Sequence, residues 1–212
     1  MKKVCLIALV MFFGAAASAQ DAPKIQVAID YSFLYTPQQS FIPSSYLSGA
    51  GASLSYFFNK RLGLRAEFAD YGTHSQNITV PALTQGCNSQ SDCVLPVSGN
   101  MYTYTFGPVL RFQIKKFQPF AEVLFGGAHN NTYADIYNHC SIQGECINLS
   151  KLPNNNAFDL TIGGGLDIPF SDRISFRAAQ VDYVRTGFGN SLVIGNSTQN
   201  NLRFQAGIVI KF

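Results

Sequence analysis

The chain has 212 residues and a formal net charge of +3, and 13% of its residues are charged while 47% are hydrophobic. Charged residues make up about a quarter of an ordinary soluble domain, so something other than charge must cover this surface. The small net charge, without a basic cluster, excludes nucleic acid as an expected partner. The length suits one domain, and after residue 19 no apolar run reaches the roughly 18 residues of a membrane-spanning helix.

The N-terminal segment has the pattern of a secretory signal peptide. Two lysines precede an apolar stretch from Val4 to Ala15, which is too short for a membrane-spanning helix. The small residues of Ala17-Ser18-Ala19 then fit the cleavage pocket of a signal peptidase. We therefore predict a cleaved signal peptide over residues 1–19 and a mature domain over residues 20–212.

Strict alternation dominates the mature sequence. Between Tyr102 and Phe112 every second residue is apolar, and a period of two predicts a β-strand. The same alternation recurs from Ile25 to Tyr35, Ala50 to Phe58, Leu62 to Phe68, Pro119 to Phe125, Phe158 to Phe170, Ile174 to Tyr183 and Leu202 to Phe212. In the seventh of these segments the alternation changes phase, which predicts a β-bulge near Ala179 and Gln180. The sequence therefore predicts eight strands and no helix.

The connections between the predicted strands alternate between short and long. The short turns are residues 59–61, 113–116 and 171–173, and the long polar loops are residues 36–45, 73–98, 129–155 and 186–200. Short turns at one end and long loops at the other are typical of outer-membrane barrels, whose short turns face the periplasm. We therefore predict an all-β fold: an eight-stranded antiparallel up-and-down transmembrane β-barrel.

The charged residues of the predicted strands lie between the apolar positions. The predicted interior charge network consists of Asp30, Arg65, Glu67, Arg111, Glu122, Asp159, Arg177, Asp182 and Arg203, with Asp167 on the same face. A soluble β-sandwich, the alternative, would turn this set toward water. A narrow polar lumen with paired charges and an uncharged row facing lipid fits a membrane barrel better. Glycines on the inward row, among them Gly163 and Gly165, are expected to leave gaps that water can enter.

Tyrosine is the candidate for an aromatic girdle, because the chain contains no tryptophan. Six tyrosines fall toward the long-loop ends of their predicted strands: Tyr31, Tyr35, Tyr46, Tyr102, Tyr104 and Tyr183. An amphipathic ring suits the headgroup level of a membrane, although tyrosine is also common in strands generally.

The last strand, from Phe204 to Phe212, alternates apolar residues and ends in an aromatic residue. With it, the mature chain resembles the OmpA-like family of small outer-membrane β-barrels. The resemblance implies that the protein lies in the cell outer membrane and that Phe204, Ile208, Ile210 and Phe212 form the signal read by the outer-membrane assembly machinery. Larger family members continue into a peptidoglycan-binding domain, whereas this sequence stops at Phe212, so cell-wall anchoring is not expected.

Four cysteines fall in predicted long loops. Export favours disulfides, and the equal spacing favours pairing Cys87 with Cys93 and Cys140 with Cys146, although four cysteines allow three pairings. Each disulfide closes a small loop and stabilises it by roughly 2 kcal/mol. A zinc site that includes His139 beside Cys140 is the alternative, but zinc sites use closer spacing and four convergent ligands. We expect no metal and no cofactor.

Three classes of function remain open. The first is a non-enzymatic structural or surface-interaction role, in which the long loops meet lipopolysaccharide, outer-membrane lipids or an external partner that the sequence does not identify. The second is a small channel or porin-like barrel. The third is a lipid A-modifying enzyme, which would need a Ser-His-acid set at the outer rim. His74 with Ser75, or His129 with Asp135, comes nearest to such a set, and neither has motif support.

Overall fold

A computed structural model describes residues 24–38, 44–80, 93–133, 155–191 and 195–212. These residues form β1 (Ile25–Thr36), β2 (Ser45–Phe57), β3 (Leu62–Val80), β4 (Cys93–Arg111), β5 (Gln118–Tyr133), β6 (Asn155–Pro169), β7 (Ile174–Ser191) and β8 (Gly195–Lys211). Each strand pairs antiparallel with its neighbours in the chain, and β1 pairs with β8. The result is a closed eight-stranded barrel, which confirms the predicted fold and excludes the soluble sandwich.

Closure is completed where the two ends of the sheet meet. In the register between β1 and β8, Gln26 lies opposite Lys211 and Asp30 lies opposite Gly207. The backbone N–H of Phe212 donates to the carbonyl of Ile25 at 2.9 Å. Each unpaired backbone group of an open edge would cost several kcal/mol in hydrocarbon, so pairing β1 with β8 removes that cost. Among the residues described, none belongs to a helix with the length and apolarity needed to cross a membrane.

The two faces of every strand differ in chemistry as the alternation predicts. In β1 Ile29 is 63% exposed, whereas the next residue, Asp30, is 3% exposed. Successive side chains in a strand point to opposite faces of the sheet. The apolar set therefore forms the outer wall and the charged set lies in the lumen, the reverse of a soluble barrel.

Register shifts interrupt the ladder at four points, and two of them bear on the sequence-based predictions. The pairing of β7 with β8 shifts between Arg177 and Gln180, which confirms the predicted bulge. The pairing of β3 with β4 shifts between Asp70 and Thr73, where Gly72 has a φ of 63° and its N–H donates to Asp70 Oδ1 at 2.9 Å. The second shift was not predicted, because the residues around it keep no apolar alternation whose phase could change.

The strands continue into segments that the sequence predicts as loops. β3 extends to Val80 and β4 begins at Cys93, so much of the predicted loop 73–98 is a paired hairpin. β7 and β8 likewise occupy most of the predicted loop 186–200. The predicted boundaries were wrong there because the sequences of these extensions, such as Thr73-His74-Ser75-Gln76-Asn77, do not alternate apolar and polar residues. Apolar alternation is then lost, while backbone pairing continues.

Candidate functional site

Inward side chains fill the lumen, and its buried apolar residues form two layers that also contain buried polar residues such as Asn201 and Arg111. An apolar layer at the long-loop end contains Leu34, Ala69, Tyr71, Met101, Ala128, Ala157 and Val184, with Leu47 packed against it. A second apolar layer at the short-turn end contains Phe57, Val109 and Phe120. Between them lies a set of buried charged residues, here termed the charge belt: Asp30, Arg65, Glu67, Glu122, Asp159, Asp167, Arg177, Asp182 and Arg203.

Arg177 of β7 joins carboxylates from two other strands. Its Nε lies 3.0 Å from Oδ1 of Asp167 on β6, and its Nη2 lies 3.4 Å from Oδ2 of the same residue. Its Nη1 donates to Oδ2 of Asp30 on β1 at 3.2 Å. Because β8 separates β7 from β1 in the sheet, the contact with Asp30 bridges strands that are not neighbours.

Arg203 of β8 forms the centre of a second group. It pairs with Glu67 of β3 and, through Nη2 at 2.8 Å, with Asp182 of β7. The side-chain amide of Gln180 donates to Asp182 Oδ2 at 2.9 Å and to Glu122 Oε1 at 3.0 Å. Gln180 therefore connects the Arg203 group to the carboxylate of a further strand, β5.

Arg65 of β3 completes this second group. It pairs with Glu122 across the intervening strand β4, and its Nε donates to the hydroxyl of Ser55 at 2.9 Å. The guanidinium carbons of Arg65 and Arg177 lie 4.6 and 4.7 Å from the centroid of the same ring, that of Phe120. The two groups of ion pairs thus meet at one aromatic side chain, which belongs to the second apolar layer, at the short-turn end.

The charge belt connects six of the eight strands through the lumen. An eight-stranded barrel has a lumen that side chains can just fill, so long side chains from opposite walls meet in the middle. Leaving one of these charges buried without its partner would cost several kcal/mol. The paired arrangement therefore holds opposite walls of the barrel at fixed positions, in addition to the backbone ladder.

Two residues of the predicted charge network form no ion pair among the described residues. The guanidinium carbon of Arg111 lies 3.8 Å from the ring centroid of Phe57, and its Nε donates to the carbonyl of Lys60 at 3.4 Å. Asp159 accepts a hydrogen bond from the Thr161 hydroxyl at 2.9 Å. The alternation pattern placed both residues inward, but it does not give their height along the barrel axis, which decides whether an opposite charge is within reach.

The sequence-based set named only charged residues, so it missed other interior side chains, among them Phe57, Tyr71, Phe120 and Gln180. Phe57 and Phe120 each stand between two outward positions of a predicted strand, so strict alternation could have identified them. Tyr71 follows the apolar segment that defines β3, and Gln180 lies at the bulge, where the phase is ambiguous. The two apolar layers were therefore not predicted.

The inward glycines leave no gaps at the positions that carry the charge belt. A Cβ added to Gly163 would lie 2.0 Å from Asp182 Oδ1 and 2.5 Å from the carbonyl of Val181. A Cβ added to Gly165 would lie 2.8 Å from the ring of Phe120. The expectation of water-filled gaps was wrong here, because neighbouring side chains already occupy the space that these glycines leave.

Aromatic side chains cluster on the outer wall toward the long-loop end. The six tyrosines of the predicted girdle face outward: Tyr31, Tyr46, Tyr104 and Tyr183 are exposed, and Tyr35 and Tyr102 are half-buried. The rings of Tyr35 and Tyr46 are 5.1 Å apart, and those of Tyr102 and His129 are 4.9 Å apart. The placement fits a girdle of amphipathic rings.

Among the described residues, neither His74 nor His129 lies in a Ser-His-acid set. Nε2 of His74 accepts a hydrogen bond from a backbone N–H of β2 at 3.3 Å. Ser75 follows His74 in the same strand, so the two side chains point to opposite faces. Nδ1 of His129 lies 2.6 Å from the amide oxygen of Asn156, and Asp135 lies outside the described residues.

The predicted disulfides fall mostly outside the described residues, which include neither Cys87, Cys140 nor Cys146. Cys93 is the first residue of β4, paired with Val80 of β3, so its predicted position in a loop was wrong. The alternative zinc site also lies outside the described residues. Within the described ranges, no group of three or more His, Cys, Asp or Glu residues could hold a metal ion.

The residues of the predicted assembly signal lie on the outer wall of β8 and just after it. Phe204, Ile208, Ile210 and Phe212 are exposed by 44%, 54%, 38% and 69%. They form a continuous apolar row beside β1, at the seam where the barrel closes. Recognition of this row by the assembly machinery stays a prediction.

Comparison with known proteins agrees with this architecture. The model of the outer membrane protein beta-barrel domain family matches residues 5–212. Neisserial surface protein A has 11% identity and a TM-score of 0.54, over 91% of this chain and all of that one. The outer membrane protein OprG of Pseudomonas aeruginosa has 12% identity and a TM-score of 0.51, over 92% of this chain and 98% of that one. No curated protein sequence matches this chain.

At these identities the two solved structures show the fold alone, while the family model covers nearly the whole chain. The predicted resemblance to small outer-membrane barrels is confirmed. The closed antiparallel sheet, the apolar outer wall and the family match agree, and this chain belongs to the outer membrane protein beta-barrel domain family, which places it in the outer membrane.

Proposed function

We propose that the protein has a non-enzymatic structural or surface-interaction role, in which a closed barrel carries the long-loop segments on the outer side of the outer membrane. The observation that supports this proposal is the filled lumen. Arg177, Arg203 and their partners occupy its middle, and an apolar layer lies on each side of them. A barrel filled in this way anchors the long-loop segments in the membrane and offers solutes no path through its lumen.

The two alternative functions receive less support from the same geometry. A channel needs an open path, whereas here buried side chains fill the lumen: Leu34 and Phe120 lie above and below the charge belt, beside buried polar residues such as Asn201 and Arg111. A lipid A-modifying enzyme needs a nucleophile and an acid beside a histidine. His74 instead meets a backbone amide, and Ser75 points away from it.

The proposed partners are those of a surface barrel. The apolar outer wall suits the lipid chains of the membrane, and the tyrosines near its upper edge suit a headgroup layer that includes lipopolysaccharide. The long-loop segments then meet external molecules. Cleavage of the signal peptide and insertion by the outer-membrane assembly machinery complete the proposed route to this location.

Exchanging one long segment tests the surface role. In a strain that lacks the protein, we would express either the full chain or a variant in which residues 134–154 are replaced by an Asn-Gly turn. The matched control replaces Lys115 and Lys116, at the opposite end, by the same turn. Band shifts on gels run with and without boiling check folding, and cell aggregation and attachment to glass report the surface role.

We expect both variants to fold and reach the outer membrane, and only the variant shortened at 134–154 to lose aggregation and attachment. Wild-type attachment by that variant would contradict a surface role for the segment. Altered lipid A masses that depend on His74 would instead support the enzyme.

A further inference from the structure

Exposed cations are concentrated at the short-turn end of the barrel. We term six of them the basic rim: Lys24, Lys60, Arg61, Lys115, Lys116 and Arg173. Among the described residues at that end, Asp172 is the single exposed acidic side chain. The predicted long-loop segments carry the opposite balance in the sequence, with one lysine, Lys151, against three acidic residues. The two ends of the barrel therefore differ in the sign of their charge.

Each cluster of the basic rim stands beside an exposed phenylalanine. Phe58 precedes Lys60 by two residues, and Phe170, which is 88% exposed, precedes Arg173 by three. Phe112 and Phe117 enclose the turn that carries two lysines. These rings continue the apolar outer wall, so they lie against lipid chains.

The depth of the basic rim in the membrane follows from the position of these phenylalanines next to the cations. A strand rises about 3.3 Å per residue, and a tilt of about 40° reduces the rise along the membrane normal to about 2.5 Å. A cation two or three residues past the last apolar ring therefore lies about 5–8 Å from the hydrocarbon. The headgroup region occupies roughly the outer 5–7 Å on each side of the bilayer. The cations therefore lie at the level of lipid phosphates.

One lysine of the rim adopts an unfavourable backbone conformation. Lys115 has a φ of 52° in a two-residue turn, which is closed by reciprocal hydrogen bonds of 2.9 and 2.8 Å between Ile114 and Phe117. The left-handed region favours glycine, so a lysine at this position makes the turn less stable than it could be. Its side chain is exposed, so the ammonium group is accessible to molecules outside the barrel.

We propose that the basic rim binds the phosphate groups of anionic glycerophospholipids in the leaflet that surrounds the short turns. Ammonium and guanidinium groups form charge-assisted hydrogen bonds with phosphate oxygens, and the neighbouring phenylalanines pack against the acyl chains of the same lipids. An acidic cell-wall polymer is the other candidate partner. It would lie beyond the headgroups, whereas the cations of the rim lie among them. This inference does not depend on the proposed surface role.

Lipid selectivity can be measured with spin-labelled lipids. The refolded protein would be placed in phosphatidylcholine bilayers containing a trace of labelled phosphatidylglycerol or labelled phosphatidylcholine, and the immobilised fraction of each label gives their relative association. We expect the native protein to prefer phosphatidylglycerol by about fivefold or more, the effect of one cation near an anionic surface. The preference should fall toward one in 1 M salt, where the Debye length is about 3 Å.

The test variant replaces Lys60, Arg61, Lys115 and Lys116 by glutamine. We expect its preference for phosphatidylglycerol to approach one, while a matched variant that exchanges lysine for arginine and arginine for lysine at the same positions keeps the preference. Arg185→Gln, which removes an exposed cation at the long-loop end, should also keep it. Gels run with and without boiling show which variants are folded.

Lys115→Gly separates lipid binding from folding, because it relieves the positive φ and removes a charge at once. We expect a higher urea midpoint together with a lower preference for phosphatidylglycerol. Equal association of both lipids with the native protein, or an unchanged preference in the glutamine variant, would overturn the proposal. So would co-sedimentation with purified peptidoglycan that requires Lys60 and Arg61, in the absence of lipid selectivity.

Discussion

The inward and outward faces of the barrel wall come from the same eight strands but meet opposite requirements. The outward face needs only apolar residues, because lipid chains accept any apolar side chain. The inward face needs particular partners: Arg177 is paired with Asp30 and Asp167, and each partner is buried. We therefore expect the outer wall to tolerate exchange within a residue class, and the lumen to tolerate only changes that keep charges balanced.

The largest effect should come from removing one partner of a buried group. Arg177→Met leaves the carboxylates of Asp30 and Asp167 uncompensated, and breaking a buried pair in this way costs about 3–5 kcal/mol. The free energy of unfolding in urea, measured for protein refolded into lipid vesicles, reports the loss.

The matched control adds Asp30→Asn and Asp167→Asn to Arg177→Met. Replacing a whole ionic group by neutral residues is often close to neutral, so the triple variant should regain much of the lost stability. A triple variant as unstable as the single one would show that the belt acts through shape and not through charge balance.

A charge on the outer wall should have the next largest effect. Phe106 is 50% exposed on the outer wall of β4, and Phe106→Arg would place a guanidinium against lipid. We expect a loss of about 2–4 kcal/mol in the same urea titration. Phe106→Leu, which keeps the residue apolar, should cost less than about 1.5 kcal/mol. Equal losses in the two variants would contradict the assignment of this face to lipid.

Crowding inside the lumen predicts a smaller loss. In Gly163→Ala the new methyl group would overlap Asp182 Oδ1, and overpacking of this kind costs about 1–3 kcal/mol. Gly187→Ala is the control, because an added Cβ there meets no atom within 4 Å. Unfolding midpoints that change equally for both variants would show that the lumen has room to spare.

The smallest effect on the folded barrel should follow deletion of Phe212. Its backbone contributes two hydrogen bonds with Ile25 at the seam, and its ring is 69% exposed. We expect the main change in the amount of protein that reaches the outer membrane, measured by quantitative blots of membrane fractions. Phe212→Tyr keeps a terminal aromatic residue and should accumulate normally. Normal accumulation of the truncated chain would refute a role for Phe212 in assembly.

Alternation was sufficient to predict the wall of the barrel. The period of two identified eight strands and the bulge at Gln180, because a lipid-facing row and a buried row differ at every residue. The same pattern assigned Arg65, Glu122 and Arg203 to the lumen without the structure. The pattern shows whether each residue lies on the inward or the outward face of the sheet, and the barrel fold follows from that arrangement.

Partners within the lumen could not be read from alternation. Arg65 finds Glu122 across β4, while Arg111, on the same face, meets the ring of Phe57. Strand stagger and tilt decide which residues lie at the same height on opposite walls of the barrel, and both depend on hydrogen-bond register. The strand extensions near Val80 escaped prediction for a different reason, since their sequences carry no regular alternation of apolar and polar residues.

Single-channel conductance in a planar bilayer tests most directly whether the charge belt and its two apolar layers close the lumen. We expect the native protein to be silent, and Arg177→Ala and Glu122→Ala to give small, intermittent currents because each removes one side of a cross-lumen pair. Steady porin-sized currents from the native protein would contradict the account and assign the barrel to the channels.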